Sequence, residues 1–412
     1  MRFKRLAVDA LAPERLRALG ARSGWLVEAP GELRVGFGRC VERVSLGAGL
    51  YDTTDATAIL RRHELVGDDG PAGTGVVAFA SLPFDRQAAG ELEVPEFTVT
   101  RTAAGAAWVS ALEGAPDWRR AYEAVALPTQ EVQSLRGLIY EPTPEEYAHN
   151  VAVAVEQLRR KEIDKVVLAR AVLGSVPDAV DPAAVAQRLR EREPVCTIYS
   201  LPRSDGRRFV GASPELLVRR VGAEVQCNPL AGTITLPKNV APDDYETWLL
   251  GSAKNLHEHA LVVDEIVRTL ADVYDDVRAD AEPSIVALRT VAHLGTWIYA
   301  WRNTPGAPDA LDVLRLLHPT AAVGGLPRAG ADELIRRLEP RDRGPFAGPL
   351  GWMDANGDGE WWIGLRGVLL DGCDFEAWAG AGIVSESDPV AEREETSDKL
   401  AAVLSSLLVD PV

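Results

Sequence analysis

The chain has 412 residues, 46% hydrophobic and 25% charged, with 61 acidic against 44 basic side chains and a formal net charge of −17. That much apolar material can offset the entropy of folding, so a globular protein is expected, as one large domain or two average ones. The negative field repels phosphate backbones and anionic lipid, which excludes nucleic acid and membrane surfaces as first partners, and a small anionic substrate would need a locally positive site. In chain order, the start MRFKRLAVDALAPERLRALG is interrupted by Asp9, Glu14 and Arg15 and does not make a secretory signal. Residues 1–125 read as short strands and turns, punctuated by clusters such as VGDDGPAGTG. Thr143, Pro144, Glu145 and Glu146 then start a helix predicted to run to about Arg160. It leads into KVVLARAVLG, a buried strand over 165–174. Over 253–274, Leu256, Ala260, Val263, Ile266 and Leu270 fall at helical spacing and predict one core face. A last helix starts at Asp388 and Pro389, with Leu400, Val403, Leu404 and Leu407 as its buried stripe. No run is long and apolar enough for a membrane span. Cys40, Cys196, Cys227 and Cys373 lie far apart without a CxxC pair, so reduced thiols and a cytoplasmic location are expected.

Several clusters are candidates for chemistry. Asn255 and Glu258 are one helical turn apart, as are Glu392 and Glu395, and two such faces brought together would suit a hard cation such as magnesium. Taken singly, acids on helices are a solvated face, and Asp388 and the first turn of the last helix account for some of them through capping. His257 and His259 point to different helical faces, unlike the i, i+4 pair of a zinc site. DANGDG opens like a calcium loop, but its twelfth position is Leu365, and a hairpin turn explains it better. Lys165 and Glu215, each taken alone, read as a strand-edge charge and a residue after proline.

Read together, KVVLAR (165–170), GASPELL (211–217), PLAGT (229–233), KNLHEH (254–259), HPTAAVGGLP (318–327), GWMDANGDGEWWIGLR (351–366) and GAGIVSESDP (380–389) resemble the chorismate-utilising enzyme family, in order and spacing, over roughly residues 75–412. The resemblance implies an α/β protein with a single large domain. Two sheets flanked by helices would enclose a central cleft, residues 1–125 forming a sheet-rich part of the same domain as the chorismate-binding region 126–412. It implies that Lys165 is a general base on water and Glu215 the acid that protonates the departing ring hydroxyl, since water is a poor nucleophile and hydroxide a poor leaving group. Glu258 and Glu395 match magnesium ligands, with Glu392 and Asn255 nearby. Arg366 matches the arginine that takes the enolpyruvyl carboxylate, helped by backbone N–H groups around Gly380 and Gly382, while Thr233 and His293 resemble residues lining the substrate.

Within the family, members that use ammonia generally lack the lysine seen here as Lys165 and pair with a glutamine amidotransferase, so water as nucleophile and no such partner are expected. His318 of HPTAAVGGLP is similar to a marker of the isochorismate-forming members, although Ala321 stands where many relatives have proline and Leu326 where threonine is common. A salicylate-forming member, which goes on to eliminate pyruvate, and a non-catalytic chorismate-binding protein are the alternatives. The product would feed menaquinone or siderophore synthesis, and no coiled-coil seam demands more than a monomer.

Overall fold

The computed structural model describes residues 1–9, 11–129, 133–236, 242–302 and 306–407. The first 125 residues are more regular than their turn-rich sequence indicates. A helix spans Pro13–Ser23, and two strands are long, Glu32–Leu46 and Gly90–Thr102. The helix was hidden because Gly20 and buried Arg17 interrupt its apolar face; Arg17 is held there by a two-pronged ion pair to Glu28.

Those two long strands pair antiparallel along nearly their whole length and serve both halves of a network of twenty strands among the described residues. From Glu32–Leu46 one wing continues through Trp25–Ala29, Thr197–Pro202, Arg208–Ser213, Gly367–Asp371 and Asp374–Ile383 to Lys165–Ser175. From Gly90–Thr102 the other wing continues through Val77–Ser81, Pro349–Asp354, Gly359–Ile363, Leu216–Val221 and Glu224–Asn228 to Ile298–Trp301. These wings are the two expected sheets, joined at the shared strands. A separate three-stranded sheet is made of Leu230–Thr235, Val291–Gly295 and Ser284–Ala287. The DANGDG segment forms the turn between Pro349–Asp354 and Gly359–Ile363.

The chain passes from one wing to the other between Ser213 and Leu216, and again between Ile363 and Gly367. Backbone between strands is free to aim side chains out of the sheet plane, and these two crossings carry Glu215 and Arg366. Among the described residues one of several hydrophobic clusters takes Phe3, Leu46 and Leu92 from the first part of the chain together with Leu217, Ile266, Leu314 and Trp361.

The helix Pro144–Arg159 begins with the full capping box of Thr143 and Glu146, and Pro389–Leu404 is capped by Asp388. The helix Ala253–Ala271 departs from its expected face. Its buried side is Asn255, Glu258, His259, Val262, Ile266 and Leu270, whereas Leu256 is exposed. Apolar spacing misplaced the first turns because their inward positions face a polar cavity and carry polar side chains. No helix among the described residues is long and apolar enough to cross a membrane, and all four cysteines are free.

Candidate active site

Lys165 opens the strand Lys165–Ser175 and is fully buried, so it is not the edge charge its position suggests. Its Nζ lies 3.0 Å from Glu258 Oε1, an ion pair that lacks the alignment of a hydrogen bond. Glu258 reaches it from the first turns of the helix Ala253–Ala271, whose start is capped by Ser252. Gly382 makes room for the pair. A Cβ there would stand 2.0 Å from Glu258 Oε1 and 3.1 Å from Lys165 Cε, so any larger residue would push the Glu258 carboxylate from its place.

Glu215, at the first crossing, is 3% exposed. Burial pushes its carboxyl up to about 8, against the opposing pull of the Leu230 N–H and the charges of Lys165 and Lys399. At neutral pH it therefore holds a proton. Glu215 and Glu258 line the same cavity, together with Thr233, His293, Arg366 and Lys399, and Lys165 sits directly behind Glu258 and Gly382. Glu215 thus lines the compartment directly, whereas Lys165 meets it through Glu258.

Thr233 and His293 face each other across the small sheet. Thr233 Oγ1 is 3.0 Å from His293 Nδ1, and His293 Nε2 is 3.2 Å from a terminal nitrogen of Arg366. Burial, with Arg366 and Lys399 nearby, holds the imidazole well below its usual range, so it is neutral. A guanidinium only donates, hence Nε2 accepts, Nδ1 carries the hydrogen, and Thr233 Oγ1 receives it, which leaves the threonine hydroxyl free to donate into the cavity. Arg366 adopts a left-handed backbone, with φ of 49°, which swings it off the sheet. Its second terminal nitrogen is buried without a partner, a donor placed for an anionic ligand.

The strand Asp374–Ile383 has neighbours on both sides only as far as Ala377; beyond that, it pairs with Lys165–Ser175 alone. The Gly380 carbonyl accepts from Lys399 Nζ at 2.9 Å, so the free edge at Gly380 and Gly382 turns toward the cavity. Lys399 also pairs with Glu395, and Lys254 pairs with Glu392. Each of the three expected metal-binding acids is thus matched to a lysine. Among the described residues no three His, Cys, Asp or Glu side chains stand close enough to hold a metal ion by themselves.

Lys399, Lys254 and the Leu230 N–H were not singled out in the sequence. Lys399 had a signal, because it stands four residues after Glu395 on one helix. His318 is buried with Nε2 3.0 Å from the Phe84 carbonyl, and burial lowers it to about 3, so it is a packing residue. His259 is bonded to Thr296 while His257 is exposed, consistent with their different helical faces.

This fold and cavity are those of a chorismate-binding enzyme. The family model described as "Chorismate binding enzyme" matches residues 25–408, and the chain belongs to that family. It is 32% identical over 332 residues to the isochorismate synthase EntC of Escherichia coli (strain K12), covering 80% of each chain. To the isochorismate synthase MenF of Bacillus subtilis (strain 168) it is 32% identical over 336 residues, covering 79% of this chain and 71% of that one. Among solved structures, the menaquinone-specific isochorismate synthase MenF of Escherichia coli superposes with a TM-score of 0.80 at 26% identity, covering 98% of this chain and 94% of that one. Anthranilate synthase component I of Streptococcus pneumoniae shares the fold, with a TM-score of 0.70 at 20% identity, covering 98% of this chain and 92% of that one.

Proposed function

We propose that the protein is a magnesium-dependent isochorismate synthase, and the observation that carries this reading is that Glu215 and Glu258 line one cavity while Lys165, paired to Glu258, lies directly behind its wall. Lys165 rests paired with Glu258 and must first release its own proton to solvent; as the neutral amine it then takes a proton from water as the oxygen bonds to C2 of chorismate. Glu215 gives its proton to the C4 hydroxyl, whose bond to carbon breaks so that it leaves as water. The ring double bond shifts, and atoms and charge balance. The raised affinity of Glu215 for its proton suits it to this task, because a donor should titrate near the working pH. Arg366, with its unfilled donor, takes the enolpyruvyl carboxylate, and Thr233 and the free edge at Gly380 and Gly382 orient the rest.

The donor set fits magnesium. Glu258, Glu392 and Glu395 offer the carboxylate oxygens a hard cation takes, each now matched to a lysine, and this ion needs only one or two protein carboxylates beside water and substrate oxygens. Glu258 and Glu395 would hold it, with Glu392 alongside. When bound, it supplies Lewis-acid neutralisation of the ring carboxylate. The same reading makes water the nucleophile, with no glutamine amidotransferase, and places a monomer in the cytoplasm, with residues 1–125 part of the catalytic domain.

The test is product analysis of purified protein with chorismate and magnesium, with and without ammonia. Isochorismate as sole product is expected. Salicylate fluorescence without an added lyase would instead mark pyruvate elimination in the same cavity, an aminated product would overturn water as nucleophile, and unchanged chorismate would overturn the enzyme reading.

A further inference from the structure

The strand that carries Lys165 has a gap along one edge. Its first two residues, Lys165 and Val166, pair with Leu326 and Gly325, and its far part, from Ala171 onward, pairs with Arg136–Glu141. Between these partners, residues 167–170 have no strand beside them on that edge. Unmet N–H and C=O groups in a buried sheet are costly, so something must replace the missing strand.

An ion pair does so. Glu339 Oε1 accepts from the Ala169 N–H at 2.8 Å, and an Arg343 terminal nitrogen donates to the Val167 carbonyl at 2.7 Å. One acceptor and one donor, offered to residues two apart, are what a neighbouring strand would present. The other terminal nitrogen of Arg343 donates to the Val323 carbonyl at 2.8 Å, tying in the segment that leads to Gly325. The side chains of Arg343 and Glu339 are 1% and 4% exposed and are bonded to each other through both carboxylate oxygens. A pair this deeply buried is tolerated only when nearly every donor is used, and here four guanidinium contacts are made. Arg343 and Val167 line the reaction cavity, and Glu339 lies behind them.

We propose that Glu339 and Arg343 form a positioning pair for the base: by completing the sheet edge two residues after Lys165, they fix that strand against Gly380 and Gly382, and so hold the Lys165 amine in register with the bound ring. Neither side chain takes part in proton transfer. This rests on the isochorismate-forming reading, in which Lys165 is the base.

The test compares Arg343→Lys, which keeps the charge but loses the planar fork, with Arg17→Lys, the same change in the buried pair that joins the helix Pro13–Ser23 to Glu28 of the strand Trp25–Ala29. For Arg343→Lys the expected result is a kcat lower by on the order of 10- to 100-fold with KM for chorismate within about threefold, because small displacements of a reacting group act on the chemical step. Hydrogen exchange at the Ala169 amide should quicken while residues 171–175 stay protected. Arg17→Lys should lower thermal stability with kcat retained. If Arg343→Lys does not fold, Glu339→Gln, which keeps the volume and one acceptor, is judged by the same criteria. Unchanged kcat in the variant that folds, or equal kcat losses in it and in Arg17→Lys, overturns the proposal; failure of both Glu339→Gln and Arg343→Lys to fold also overturns it, in favour of a purely structural pair. A wild-type protein that forms no isochorismate would instead sink the functional reading itself.

Discussion

Glu215 and Glu258 line one cavity, yet they meet opposite surroundings. Glu258 has Lys165 Nζ at 3.0 Å, whereas Glu215 forms no ion pair among the described residues, and the more distant charges of Lys165 and Lys399 only partly offset its burial. The one carboxylate is matched by a cation, while the other keeps its proton up to about 8 because burial penalises its charged form. The residue type is the same; the neighbour decides whether it serves as a charge or as an acid. Glu392 and Glu395 follow Glu258, each with its own lysine.

The largest effect should come from removing the base. Lys165→Ala is expected to lower isochorismate formation by about 10²–10⁴-fold while chorismate binding stays measurable by calorimetry, and full turnover would end the base assignment. Glu215→Gln should lower kcat by roughly 10²-fold and remove the alkaline limb of the pH profile. In the wild-type enzyme that limb should fall as pH rises through about 8, where Glu215 loses its proton.

The same carboxyl sharpens the contrast through stability. Its folded affinity for a proton lies above the ordinary glutamate value of 4.5, so between 4.5 and about 8 the native state binds a proton that the unfolded chain does not. Stability from this group is complete below that window and declines as pH rises through it, by roughly 1.4 kcal/mol per pH unit. Glu215→Gln should flatten this slope in urea unfolding at pH 6, 7 and 8; an unaltered slope would show that another group is responsible.

Glu258→Ala breaks the opposite side of the comparison. It leaves Lys165 buried without its counter-charge and should cost about 3–5 kcal/mol of stability, together with loss of the magnesium response of turnover. An unchanged magnesium titration would remove Glu258 as a ligand. The smallest effect is expected at His257, which is exposed: His257→Ala should leave kcat and KM within about twofold.

Much of this was legible from local chemistry. The Thr143–Glu146 capping box, the Asp388 cap, the DANGDG turn and the buried strand from Lys165 follow from residue types acting over a few positions. The helix Pro13–Ser23 was missed because its inward Arg17 is stabilised by Glu28, and the helix Ala253–Ala271 was turned by about one position because the cavity, not the apolar core, receives its first turns. In both cases a polar residue points inward, which apolar periodicity scores as outward.

Sequence by itself determined the local elements, the order of the motifs and, through them, the family. It also named Lys165, Glu215, Glu258, His293 and Arg366, but it could not say that Glu215 would be buried without an ion-pair partner among the described residues, or that Glu339 and Arg343 would complete the open edge of a strand 170 residues earlier in the chain. Only the tertiary structure decided those points. Protonation and hydrogen-bond completion depend on which groups are brought within a few ångströms and on how much water remains between them, and neither is encoded in the spacing of residues along the chain.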